Sequence, residues 1–346
     1  MSAIEESAQQ ADSRLTGRKV LGDVKTEQLM VQFDPASVVA RSTPVQTCDA
    51  AGTKGSAVIA STRGRPDIVA SLVKQLGEQT RPPEHIFIIA TKADDIARLD
   101  QSQKNLTVRI GRPGSTFQRN DGLALAGSQF SYIVFFDDDF VPSRFWLERM
   151  ESTFKSRPDV AGLTGAVLAD GTRTAGIKLD DAQSMVCLRD ASPTQGGVLH
   201  ERVAYGSNVG CNMAYRYSAM HGITFDERLP LYAWHEDSDF RGQVERRGLF
   251  VRADDLWGVH LGHKQGRSSG VMLGYSQVAN AVYLAKKGTV PSRFLAEIAS
   301  KNVVINALRS FRPEPFVDRR GRLRGNMMAI ADLVHGRLAP ERILEL

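Results

Sequence analysis

The sequence predicts an α/β protein: a mainly parallel central sheet flanked by helices, followed by a helical C-terminal region. Three observations lead there. Short apolar runs alternate with amphipathic segments from about residue 56 to residue 136. The runs are apolar at successive positions, as strands covered on both faces are. The last part of the chain keeps helical spacing throughout.

The elements run in order along the chain. Residues 1–54 form an N-terminal extension in which "RKVLGDVKTEQLMVQF" could hold a strand or two and "TCDAAGTKGS" is a linker into the first regular strand. "SAVIAST" (56–62) is a β-branched strand, and Pro66 suits the first turn of a helix whose Ile68, Val69, Leu72, Val73 and Leu76 share one face. "EHIFIIAT" (84–91) and "LTVRIG" (106–111) are the next two strands, a helix covers about 122–128, and "YIVFF" (132–136) is a fourth strand. Alternation at these lengths means βαβ units with right-handed crossovers. Beyond Phe145 a helix, "VAGLTGAVLAD" as strand and turn, a polar excursion over 170–200, a strand from about 209, a helix from about Ser238 and a further strand complete a domain spanning 55–270. Residues 271–346 are helical.

Composition bounds the function. The chain has 346 residues, 42% hydrophobic and 24% charged, as soluble globular proteins do. Its net charge of +5 allows an anionic partner. Cys48, Cys187 and Cys211 are far apart and form no CxxC pair, which argues against a disulfide scaffold or a zinc site and for a reducing compartment. The N-terminus is polar and no apolar run nears the ~18 residues that span a bilayer, so a cytoplasmic protein is expected. Neither GxGxxG nor a P-loop is present.

Parallel sheets bind ligands beyond the carboxyl ends of their strands. "STRGRP", "ATKADD" and "DDDF" would share that edge. Three adjacent carboxylates, Asp137, Asp138 and Asp139, repel one another unless a cation neutralises them; a solvated acidic turn is the alternative. In "AWHEDSDF", Ser238 and Asp239 fit a helix start, whereas Glu236 and Asp237 beside Trp234 and His235 fit a general base as well. In "HLGHKQGR", His260 and His263 could ligate metal, and Lys264 and Arg267 could hold phosphate, or the loop could simply be basic surface. Arg63 and Arg65, and Arg119 in "QRNDG", have solvated readings too.

The order of these parts resembles the family 2 glycosyltransferases with the GT-A fold. "AVIASTRGRPDIVASLVKQLGEQTRPPEHIFII" resembles the family's opening strand, helix and second strand, "RNDGLALAGSQFSYIVFFDDDFVP" its DxD region, and "FDERLPLYAWHEDSDFRGQVERRG" its ED segment. The continuation looks like bacterial members that assemble cell-surface polysaccharide. The resemblance implies a metal-dependent inverting glycosyltransferase using Mn2+ or Mg2+. Asp139 would hold the metal, with Asp137 and His260; Asp137 and Asp138 would also meet the donor. Ser61, Thr62, Arg63, Arg65 and Arg119 would line the nucleotide-sugar pocket, and Lys264 and Arg267 would close on the diphosphate. Asp237, or Glu236, would be the base. The sequence departs from the family at "IIATKADD", where Ala90 and Thr91 replace the base-reading acid; Asp94 or Asp95 would substitute, and UDP is the default nucleotide. The acceptor would be a glycan or lipid-linked, with no nucleic acid involved. The basic stretch from Arg309 to Arg324 suggests peripheral contact with the inner face of a membrane, or else a solvated face. The alternatives are a sugar-phosphate nucleotidyltransferase and a non-catalytic glycan-binding protein.

Overall fold

A computed structural model describes residues 54–192, 197–206, 210–264 and 269–346, all within one compact unit, Ser42–Leu346. Apart from Lys54, the expected N-terminal extension lies outside the described residues, as does Arg267.

Among the described residues nine strands form one sheet: β1 (Lys54–Ser61), β2 (His85–Ala90), β3 (Leu106–Ile110), β4 (Phe130–Asp137), β5 (Phe140–Pro142), β6 (Val160–Asp170), β7 (Leu199–His200), β8 (Asn212–Arg216) and β9 (Leu249–His260). The helices are α1 (Pro66–Gly77), α2 (Ser115–Ala126), α3 (Trp146–Ser156), α4 (Leu179–Asp190), α5 (Tyr217–Met220), α6 (Glu236–Val244), α7 (Gly270–Lys287), α8 (Ser292–Arg309) and α9 (Arg319–Val334).

The strand order is β3-β2-β1-β4-β8-β6-β9-β5, with β7 on β9. The first four strands are parallel, as expected, and so is the β6–β9 pair. The β4–β8, β6–β8, β5–β9 and β7–β9 pairs are antiparallel. The sheet is therefore mixed rather than mainly parallel. After β6 the chain makes the excursion that carries α4 instead of a full crossover. It enters β8 at Asn212, opposite Phe136 near the carboxyl end of β4, so β8 must run backwards.

The long apolar runs have a simple cause. Val58 and Ala60 of β1, with Val134 and Phe136 of β4, pack on one side against Leu72 of α1 and Trp146 of α3. Ala57, Ile59, Ile133 and Phe135 pack on the other, with Phe240 of α6. Both faces of the sheet are covered, so alternation disappears.

Two helices start earlier than their sequences suggest. The second begins at Ser115, because Gly114 at φ 139° supplies the break at the end of the "GRPG" turn. The helix expected from Ser238 begins at Glu236, and His235, not Ser238, precedes its first turn. In the C-terminal region α7 and α9 approach closely where Gly274 meets the Arg322 carbonyl and Gly325 meets that of Val271; a Cβ at either would come 2.0 Å from that oxygen. Buried Asn306, Gln277 and Asn326 bond across the three helices. Among the described residues no helix is long and apolar enough to cross a membrane.

Candidate active site at the carboxyl edge of the sheet

From β1 the chain crosses to β2 and β3 on one side and to β4 on the other. The crevice between β1 and β4 is thus a topological switch point, where sheets of this kind take their ligands. Register brings the acidic residues together there. Ser61 pairs with Asp137. The antiparallel β5, which starts directly after Asp139, sets Phe140 opposite His260, while the parallel β6 sets Asp170 beside the same histidine.

Each carboxylate of the triplet has different company. Asp138 is fully buried: Thr62 Oγ1 donates to its Oδ2 at 2.7 Å, and Arg65 Nη2 lies 2.7 Å from its Oδ1. Burial pushes its carboxyl up, and Arg65 opposes that. Asp139 meets Arg65 Nη1 at 3.2 Å and His260 Nε2 at 3.2 Å, and accepts the His263 N–H at 2.9 Å. Burial alone would raise Asp139, but these partners outweigh it and hold the carboxyl well below the usual range. Asp137 is the most open of the three and accepts from Arg119 Nη2 at 3.0 Å.

One ligand atom each from Asp137, Asp139 and His260 falls within 4.8 Å of the others, the only such cluster among the described residues. Two carboxylates and an imidazole are a donor set that could hold a divalent metal ion. Asp170 Oδ1 lies 3.1 Å from His260 Nδ1, so this outer carboxylate holds the ring with Nε2 facing the cluster. Without a cation, burial disfavours the His260 charge, yet Asp139 and Asp170 raise its pKa to about 10.

The Glu236–Asp237 pair sits at the start of α6, after a backbone under strain. Leu231, Ala233 and His235 have φ of 59°, 50° and 72°, the left-handed region that costs a side chain of order 1–3 kcal/mol each. The loop is pinned by Ser115 N–H to the Leu231 carbonyl and by Asn280 to the Trp234 carbonyl. Glu236 is buried and fully engaged. Its Oε1 accepts from Arg119 Nη1 at 2.5 Å and Ser115 Oγ at 3.0 Å, and its Oε2 from the Asp237 N–H at 2.8 Å. Burial raises its pKa, offset in part by Arg119. Asp237 is half-buried; its Oδ1 accepts the Ser238 N–H at 2.7 Å, and no cation lies within ion-pair distance among the described residues.

No protein-family model and no curated protein matches the sequence. Among solved structures the chain is similar to Staphylococcus aureus TarS, with 13% identity and a TM-score of 0.46 over 75% of this chain and 44% of that one. The chain thus spans under half the length of that TarS chain. TarS 1–349 in complex with UDP gives 14% identity and a TM-score of 0.47, and in complex with UDP-GlcNAc 15% and 0.47, each over 75% of this chain and 73% of that one.

The other expected residues divide clearly. Ser61 Oγ, at the end of β1, is buried without a hydrogen-bond partner among the described residues, and Arg63 is exposed. Lys264 Nζ donates to the carbonyls of Gly171 and Thr172 at 3.1 and 2.9 Å. Asp94 points into solvent beside Lys92, 83% exposed. Its neighbour Asp95 is buried and takes the N–H groups of Gly64, Thr91 and Lys92 together with the Thr91 hydroxyl, which ties the loop after β1 to the loop after β2. Thr62, Arg65 and Asp138 hold one another. Arg119 is buried behind the cleft, where it joins Asp137 to Glu236 and to the Gly210 carbonyl. Asp170 and Gln118 are additions that the sequence does not announce. Gln118 Nε2 donates to the carbonyls of both Thr62 and Ile89, closing the carboxyl edge between β1 and β2. Nothing in spacing marks either one: strand register brings in Asp170, and the seating of α2 against β1 and β2 brings in Gln118.

Proposed function

We propose that the protein is a metal-dependent, inverting glycosyltransferase that moves a sugar from a nucleoside-diphosphate sugar, UDP-linked by default, to an acceptor hydroxyl of a glycan or lipid-linked acceptor. One observation carries this reading. A single buried arginine, Arg119, bonds both to the cation-binding cluster at Asp137 and to the Glu236–Asp237 pair, so the two halves of such a site share the switch-point edge.

Asp137, Asp139 and His260 would hold the divalent cation, which would offset charge on the departing diphosphate. The chain's own groups do the rest. Asp138, Thr62 and Arg65 hold the cluster's loop in shape. Lys264, anchored on the turn after β6, brings a positive charge to the loop that follows His260. Asp237 is the less engaged carboxylate of its pair among the described residues and acts as base. It takes the acceptor proton while the acceptor oxygen attacks the anomeric carbon; the bond from that carbon to the diphosphate oxygen breaks, and the nucleoside diphosphate leaves with the electron pair. One displacement inverts the centre and needs one base and no nucleophile. Glu236, tied by Arg119 and Ser115, positions Asp237 through its backbone N–H.

The test is donor turnover. With a panel of nucleotide sugars and Mn2+, the protein should release nucleoside diphosphate, faster when acceptor is supplied. Release of pyrophosphate from a nucleoside triphosphate and a sugar phosphate would instead identify a nucleotidyltransferase, and no turnover with any donor would leave a glycan-binding protein.

A further inference from the structure

We propose that the corner between α8 and α9 docks on the surface of an anionic lipid bilayer. Val304 and Leu308 of α8, with Phe311 just beyond it, recur at three- and four-residue spacing and are 55%, 68% and 83% exposed. Phe311 shares an open groove with Leu323 and Met327 of α9, rimmed by Arg320 and Arg324. A contiguous apolar patch of this kind marks a contact surface.

Charge decides what covers it. Residues 309–324 hold six arginines and two acids, Glu314 and Asp318. Both acids are used internally: Glu314 accepts two bonds from Arg319, and Asp318 caps α9 through the Gly321 N–H. Arg312, Arg320 and Arg324 have no carboxylate within ion-pair distance among the described residues. A second copy of the chain related by a two-fold axis would set arginine against arginine. A polyanion such as nucleic acid would leave Leu308 and Phe311 unused. An anionic bilayer takes both, with head groups on the guanidiniums and the apolar side chains in the acyl boundary.

The corner also lies beside the candidate site. Phe316, in the α8–α9 connection, sits 5.5 Å from Lys264 Nζ. A docked bilayer would therefore lie next to the loop after His260, where a lipid-linked acceptor would arrive. That last point rests on the glycosyltransferase reading; the docking does not.

Flotation of the full-length chain tests it, with vesicles of phosphatidylcholine alone and with added phosphatidylglycerol. Binding is expected to the anionic vesicles only, and to weaken with salt. Arg312→Gln, Arg320→Gln and Arg324→Gln together should lower it about a hundredfold, about fivefold each. Leu308→Ser and Phe311→Ser should lower it about tenfold each. All five residues are exposed, so melting temperatures should hold and donor turnover in solution should not change. Absent flotation, or equal flotation with neutral vesicles, overturns the proposal. So does a loss confined to the glutamine variants, which would mean charge attraction alone with no apolar insertion, or a lipid-free dimer that Phe311→Ser dissolves while no vesicle is bound.

Discussion

Arg119 donates from Nη1 to Glu236 Oε1 at 2.5 Å, and both side chains are buried. Glu236 opens α6 while Arg119 lies on α2, so this ion pair fixes the strained loop against the sheet edge. The other arm of the guanidinium holds Asp137 at 3.0 Å. A lysine at 119 keeps the charge but presents one point instead of a fork. Arg119→Lys should therefore fold and bind donor, while kcat falls about a hundredfold, the cost of displacing a catalytic group by about 1 Å. Arg119→Met should also lose about 3–5 kcal/mol of stability, because the buried Glu236 carboxylate loses its partner. Steady-state kinetics beside thermal melts separate the two effects; wild-type kcat in Arg119→Lys would remove the positioning role.

The two acids at the head of α6 differ in what they have left to offer. Glu236 has both oxygens committed, whereas Asp237 is held through Oδ1. Its Oδ2 faces Gly210, where a Cβ would come 3.2 Å from that oxygen. Asp237→Asn should leave donor binding intact and cut turnover about 10²–10⁴-fold, the range for a lost general base. Glu236→Gln should cost less turnover and more stability. The reverse ranking would transfer the base to Glu236.

Legibility in the sequence followed the range of the forces involved. β1 to β4 could be found because each is an uninterrupted apolar run, and the C-terminal helices because they keep helical spacing. In the antiparallel half β6, β8 and β9 were legible as strands but not in direction: β5 is three residues long and β8 takes its direction from the excursion before it. At the site the types of residue were visible, but not which of them face one another. Asp137, Asp139 and His260 meet because β5 pairs with β9, a contact across 120 residues. The same register brought in Asp170 unannounced. By spacing alone Arg119 and Asp138 are ligand-facing polar residues. In the fold both are buried in ion pairs with the chain itself, which depends on side-chain depth and leaves no mark in local spacing.

With Asp137, Asp139 and His260 as the proposed cation ligands, removing the cation or its supports should act in graded steps. Asp139→Asn takes a charge from the cluster with little change of shape and should abolish the Mn2+ dependence of donor binding in calorimetry; unchanged affinity would exclude Asp139 as a ligand. Asp170→Asn leaves all three ligands in place but weakens the hold on His260 Nδ1. Cation affinity should then fall about 10–100-fold, as it does when an outer carboxylate is lost. Chelation should reproduce the Asp139→Asn phenotype in the wild-type protein.

Packing behind the site predicts a defect of another kind. Gly242 of α6 lies against the Thr289 carbonyl, where a Cβ would come 1.9 Å from the oxygen. That oxygen belongs to backbone and cannot swing aside. Gly242→Ala should force α6 away from the Thr289 backbone just beyond α7 and cost about 1–3 kcal/mol, as overpacking does. Because α6 carries Asp237, turnover should fall along with the melting temperature. An unchanged melt would mean that α6 adjusts freely.

The C-terminal helices make a prediction about acid. Asp332 of α9 is buried and accepts from Arg337 Nε at 2.6 Å, Arg342 Nε at 2.8 Å and the Tyr275 hydroxyl at 2.8 Å, tying α7, α9 and the final turn together. Burial raises its carboxyl, but the two arginines and the tyrosine outweigh that and bring it down to about 2. A carboxyl lowered on folding binds its proton more readily in the unfolded chain. Its contribution is therefore complete above the ordinary aspartate range near 4 and is lost as pH falls from there towards 2. Denaturant melts between pH 5 and pH 2.5 should show stability dropping with acid, and Asp332→Asn should flatten part of that slope while lowering stability at neutral pH. Equal slopes in the two proteins would show that the link between α9 and the final turn does not depend on this charge.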